Sequence, residues 1–294
     1  MVDAAIVGRF VGPDALAALG VANPIFLVVL FLFIGLCMGI GVVLSQLFGA
    51  HDYAGLKRGV STALLSGLGL TVVIVVLCLL LSRQFLLATH TPADILEDAN
   101  TYLRIVFIGL FFSFLYNFYA FAMRSIGNAK APLFFLLLSS LLNIVLDFCF
   151  VVGLQAGVAG AAIATVIAQG CSFLCCWLYI RRRLPLIHLT RQDFVFDSTL
   201  LKSIVQYSFA AACQQVYIYL GLLLVQGLVN GYGTRVIAAF NGAERLDTLL
   251  QTAGLDFANA LTTFTAQNYG AGKIRRVKEG FKVGFVLMLS LIHI

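Results

Sequence analysis

Charge is what this sequence has least of. Only 11% of its 294 residues are Asp, Glu, Lys or Arg, against 61% hydrophobic, and the mean hydropathy is +1.00. That balance excludes an ordinary soluble domain, in which about a quarter of the residues are charged. Short alternating strands are missing as well, and the long continuous apolar runs exclude a transmembrane barrel. Histidine is confined to His51, His90, His188 and His293, in loops or at the chain end. With no metal-ligand spacing, nucleophile elbow or phosphate loop, neither an enzyme nor a bound cofactor is expected. The seven cysteines (Cys37, Cys78, Cys149, Cys171, Cys175, Cys176, Cys213) all lie inside apolar runs and read as small packing residues. The expected fold class is all-α, a polytopic helical membrane protein.

Nine apolar segments follow one another. The first, residues 4–11, is half a crossing that ends in the turn Gly12-Pro13-Asp14; the second, about 15–48, contains Pro24, a candidate kink. The others cover about 59–81, 99–123, 132–154, 158–180, 203–229, 236–268 and a ninth that runs to Ile294. Basic residues collect in alternate loops: Lys57, Arg58, Arg124, Lys130, Arg181 to Arg183, Arg191, Lys202, Lys273, Arg275, Arg276, Lys278 and Lys282. The opposite side holds only Arg9, Arg83 and Arg235. By the positive-inside rule the basic loops are cytoplasmic in a plasma (inner) membrane. The net charge of +6 thus reflects topology, and no nucleic-acid partner is expected.

Within the fifth segment, Asn143 and Asp147 stand one helical turn apart on one face, with no other ionisable side chain from 132 to 154. A central Asp raises the insertion free energy by roughly 2.5 to 3.5 kcal/mol, so such a residue usually faces a partner, a cavity or an ion path. Asp147 precedes its outer turn by about six residues, Thr165 follows that turn by about eight, and Asp3 precedes Gly12 by about nine. At 1.5 Å per residue these groups lie ~9 to 14 Å below the outer helix ends. Two carboxylates with amide and hydroxyl oxygens suit one proton or a hard cation such as sodium.

The chain also repeats itself. A shift of 221 residues superposes Gly12 on Gly233, Ala17-Ala18 on Ala238-Ala239, Gln46 on Gln267, Gly49-Ala50 on Gly270-Ala271, Lys57 on Lys278 and Gly59 on Gly280, without gaps. Six crossings separate the copies, so they have the same orientation, the parallel-repeat plan of transporters with a substrate path between halves. The expected organisation is a six-helix lobe at residues 1–180, its first helix incomplete, a cytoplasmic linker at 181–202 and a partial second lobe at 203–294. About four helices of that second lobe are expected to be absent.

Taken together, Gly12-Pro13-Asp14-Ala15-Leu16-Ala17-Ala18, Ser45-Gln46-Leu47-Phe48-Gly49-Ala50, Arg124-Ser125-Ile126-Gly127-Asn128, Leu142-Asn143-Ile144-Val145-Leu146-Asp147, Gly157 to Thr165 and Ala266 to Gly272 resemble the multidrug and toxic compound extrusion (MATE) transporters. The resemblance implies two six-helix lobes, alternating access, a monomer at full length in contact with membrane lipid, and export of small organic, often cationic, compounds. Inward flow of protons or sodium ions would drive that export. It also implies a first-lobe cation site at Asp3, Asn143, Asp147 and Thr165.

In the second lobe, where some relatives carry an acid, this chain has Cys213-Gln214-Gln215, which cannot titrate. Asp256, near the midplane, is either a cavity-lining acid or one neutralised by its packing. Gln214, Gln215, Tyr116 and Tyr119 are further candidates for the substrate cavity. Glu244 and Asp247 share a face beside Arg245 and read as locally screened. A lipid-intermediate flippase is the alternative; it would need a cavity rich in Arg and Lys, whereas only Arg104 and Arg245 lie near the spans. A truncated, inactive piece of the exporter is the other expectation.

Overall fold

The computed structural model describes residues 2–230 and 234–292, with side chains described except at residue 2, at 291 and 292, and across most of 223–253. Among the described residues there are nine α-helices and no strand: α1 (Val2–Phe10), α2 (Pro13–Gly49), α3 (Tyr53–Ala88), α4 (Ala93–Ser125), α5 (Lys130–Asp147), α6 (Gly157–Arg183), α7 (Ser198–Asn230), α8 (Thr234–Gly270) and α9 (Ile274–Ile292). Five of the described helical segments are long and apolar enough to cross a membrane, from Pro13–Gly49 to Gly157–Arg183. The helix ends repeat with the sequence. Adding 221 carries the start of α2 onto that of α8, Gly49 onto Gly270, and the start of α3 onto that of α9.

Several helices are longer than their apolar runs. Asp52 caps α3, its carboxylate accepting the Gly55 N–H at 2.7 Å, so the loop expected up to residue 58 shrinks to three residues. Pro92 precedes α4, which takes the acidic residues Asp94, Glu97 and Asp98 into its first turns, where a helix N-terminus favours negative charge. Gly12, at φ 134°, makes the tight turn from α1, and Pro13 opens α2 with a φ already suited to the helix. The fifth span is interrupted. α5 stops at Asp147, and a π-helical turn, Phe148–Gly153, follows.

Helix α4 is the centre of the first lobe. Of its most apolar stretch 72% is buried, against 17% for α3 and 11% for the span containing α5. Phe107, Phe114 and Phe118 on α4, with Phe33 of α2, fill that core, while the outward faces of α3 and α5 (Leu80, Leu141) present apolar surface suited to lipid. Cys149 and Cys213 are exposed, so the expectation that every cysteine packs internally fails for these two. A side chain on a lipid- or cavity-facing position stays inside an apolar run without being in a core, and hydropathy does not separate the two cases.

The second lobe meets the first chiefly along α2 and α7. Gly35 and Gly39 face the backbone at Ala212 and Ser208, and the Ser208 hydroxyl donates to the Leu36 carbonyl at 2.9 Å. The segment between α6 and α7 lies against α3. Val195 N–H donates to Ser61 Oγ (2.9 Å), Asp197 N–H to Thr62 Oγ1 (3.0 Å), and Lys57 and Arg58 pair with Asp193 and Asp197 at 3.3 and 3.4 Å.

Candidate cation site and central cavity

Three of the four first-lobe residues are joined in one chain of polar contacts. Asn143 Nδ2, on α5, donates to Thr165 Oγ1 at 3.4 Å. Thr165 Oγ1, on α6, lies 3.3 Å from Asp3 Oδ2 on α1 and 3.1 Å from the Ala161 carbonyl, so its single proton chooses between them. The small residues around Thr165, with Gly160, Ala161 and Ala162 on the same helix, let α6 approach its neighbours closely.

Asp147 completes the group. Its side chain is fully buried, and neither carboxylate oxygen has a hydrogen-bond partner among the described residues. The carboxylate of Asp3 lies within electrostatic reach of it. Two ionised carboxylates are both acceptors and cannot bond to each other. A proton or cation between them removes that conflict. Asp147 is also the last α-helical residue before the π-helical turn, a feature that recurs at functional sites.

One neighbour was not foreseen from the sequence. Tyr102, buried on α4, lies within electrostatic reach of both Asp3 and Asp147. Tyr102 follows the start of α4 by nine residues, or ~14 Å, a depth that the apolar run beginning near 99 does not reveal.

Between the lobes, a cavity of about 210 Å³ is lined by Ile34 and Met38 of α2, Phe121 of α4, Gln214 and Gln215 of α7, and Asp256 and Asn259 of α8. A second, of about 340 Å³, shares Phe121, Asp256 and Asn259 and adds Arg124, whose guanidinium sits over the Phe121 ring at 5.2 Å. The structure thus places Asp256, Gln214 and Gln215 on one cavity.

The MatE family model matches residues 1–149 and 210–294. The chain belongs to the MatE family. It is 31% identical over 277 residues to the probable multidrug resistance protein YpnP of Bacillus subtilis, an alignment covering 94% of this chain and 62% of that protein. Among solved structures, a MATE crystal structure in the bent conformation superposes with a TM-score of 0.91 at 26% identity, over 99% of this chain and 65% of that one. An outward-facing multidrug resistance MATE transporter of the MOP superfamily gives 0.90, also at 26%, over 98% and 64%. The MatE chain therefore spans somewhat under two thirds of the length of these relatives.

Two other candidates in this MatE chain lie elsewhere. Tyr119 is buried and stacks on Phe173 of α6, with ring centroids 6.0 Å apart, and the Tyr116 hydroxyl donates to the Pro132 carbonyl at 3.1 Å. Neither is among the residues that line the cavities holding Asp256, Gln214 and Gln215. The side chains of Glu244, Arg245 and Asp247 lie outside the described residues.

Proposed function

We propose that this protein is a cation-coupled antiporter that exports small organic, often cationic, compounds by alternating access, with Asp3, Asn143, Asp147 and Thr165 holding the coupling proton or sodium ion. The observation that carries the reading is the fully buried Asp147 carboxylate, without a hydrogen-bond partner among the described residues and beside a second acid. Leaving a carboxylate ionised and unpaired in such a place costs several kcal/mol, which binding of a proton or cation relieves. Asn143 and Thr165 add neutral oxygens to that site, and Thr165 links Asp3 on α1 to α6. Occupation of the site by a cation therefore ties the short first helix to the rest of the first lobe, and release loosens it.

The substrate path is the cavity between lobes. Asp256 gives it one carboxylate, Gln214 and Gln215 supply hydrogen-bonding amides, and Met38 and Phe121 supply apolar surface. That combination suits a flat or amphipathic molecule bearing positive charge. Relatives named as multidrug resistance proteins support the same substrate class. The membrane is the plasma membrane, with the 181–202 linker and the other basic loops on the cytoplasmic side.

The test is export of a fluorescent organic cation by the protein expressed from its own locus, reconstituted into proteoliposomes under an inward proton or sodium gradient. Asp147→Asn, which keeps the shape and removes the titrating group, is expected to lower gradient-driven export at least tenfold. Undiminished export by that variant would remove Asp147 from the coupling role.

A further inference from the structure

Two residues that the 221-residue shift superposes, Gly49 on α2 and Gly270 on α8, lie against each other's helix across the two lobes. A Cβ on Gly49 would overlap the backbone carbonyl of Gln267, and a Cβ on Gly270 would overlap the backbone carbonyl of Gln46. Gln46 and Gln267 are themselves related by the same shift. The contact is reciprocal and runs backbone on backbone. Because the obstructing atoms are main chain, no rotamer change could make room for a larger residue. Side chains of the same turns reach across the lobes as well. Gln267 Nε2 donates to the Ser125 carbonyl of α4 at 2.8 Å, and Gln46 Nε2 to the Tyr207 hydroxyl of α7 at 3.4 Å.

Away from this contact the two helices part. Gly41, Val42 and Ser45 of α2 and Asn259, Thr262 and Thr263 of α8 enclose about 10 Å³, room for one water, beside a buried Ser45 hydroxyl that has no partner among the described residues. Further along, where Ile34 and Met38 face Leu255, Asp256 and Asn259, the space is about 210 Å³. On the face of α8 that meets α2 and α4 the cleft narrows toward the glycine pair, while on its other side a space of about 470 Å³ lined by Gln46, Tyr207, Ala266 and Tyr269 lies open between α2, α7 and α8. Three of the basic residues next to the contact are paired locally, Lys57 and Arg58 with Asp193 and Asp197, and Arg275 with Glu279, which lessens repulsion between the two basic loops.

We infer that Gly49 and Gly270 form a gate that closes the α2–α8 face of the interlobe cleft at its basic-loop end, and that this side opens by parting their one reciprocal backbone contact. The inference rests on the alternating-access reading above. A gate made this way is tight without being strong. The two backbones meet by close approach, yet parting them breaks two cross-lobe side-chain hydrogen bonds, each contributing about 0.5–1.5 kcal/mol, and, among the described residues, no buried ion pair.

Spin labels at Tyr53→Cys and Ile274→Cys test this directly, on a background with the seven native cysteines replaced. These positions are related by the repeat, are 43% and 46% exposed, and begin α3 and α9, one in each lobe. Pulsed dipolar distance measurements in proteoliposomes are expected to show the main peak moving to longer values by several ångströms in Gly49→Leu and in Gly270→Leu. In Gly69→Leu the peak stays, because a Cβ at that helical glycine of α3 meets open space. Where a leucine variant fails to yield monodisperse protein, Gly49→Ala and Gly270→Ala serve, with a smaller shift in the same direction. An unmoved peak in the gate variants overturns the inference. Export is measured on the parent in parallel. Export with no glycine-dependent shift removes the gate and leaves the transporter reading standing; a shift in a parent that does not export supports the contact and retires the transport reading instead.

Discussion

At the scale of residues, Thr165 separates a coupling role from a packing one. Its hydroxyl sits between Asn143 and Asp3, so Thr165→Val, which keeps the shape, is expected to weaken apparent affinity for the coupling cation about 10- to 100-fold, the range for loss of one hydrogen bond to a charged group. Thr165→Ser should restore it. The check is the cation concentration giving half-maximal export in the two variants. Asn143 and Asp147 were legible because an i,i+4 polar pair inside an apolar run has few readings, and depth counting added Asp3 and Thr165. Tyr102 was not legible, since aromatic residues are too common in this chain for one to stand out before its neighbours are known. Tyr116 and Tyr119, candidates for the cavity by sequence, contact Pro132 and Phe173 in the structure.

At the scale of elements, helix interiors follow from hydropathy and helix ends do not. Asp52 and Pro92 extend α3 and α4 well past their apolar runs, because a cap or a favourable first turn pulls polar residues into a helix that already has a nucleus. The segment between α6 and α7 reads as a polar linker, yet it is moored to α3. The Thr190 hydroxyl and N–H, with Lys57, hold the Asp193 carboxyl well below the usual carboxylate range, at about 2. A depressed carboxyl stabilises this turn, chiefly through the local Thr190 bonds and less through the Lys57 tie to α3, fully above its unfolded value near 4, and that contribution is lost as the pH falls from about 4 to about 2. Docking is thus constant across the physiological range. Asp193→Ala is expected to speed trypsin cleavage after Arg191 several-fold at neutral pH, read as a time course on a gel. The α2–α7 seam has a different vulnerability. Gly39 meets the backbone at Ser208, so Gly39→Leu should destabilise by about 1–3 kcal/mol or more through overpacking, seen as a lower midpoint of thermal unfolding in detergent.

At the scale of the whole molecule, the repeat was legible to the residue, and its physical meaning was not. A shift of 221 predicts two equivalent helices, and α2 and α8 have matching bounds. Nothing in the pattern says that Gly49 and Gly270 would be pressed against one another, because sequence similarity reports what each copy is and not where the copies meet. The interlobe cavity is similar: Asp256 was placed near midplane by counting, while the company of Gln214, Gln215 and Asn259 required the fold. The most direct test of the account is the counter-movement of ions. Proteoliposomes loaded with substrate are diluted into buffer carrying a proton or sodium gradient, and cation entry is followed together with substrate exit. The account predicts that the parent exchanges one for the other and that Asp147→Asn still binds substrate but moves no coupled cation. The same cation-to-substrate ratio in Asp147→Asn as in the parent would contradict it.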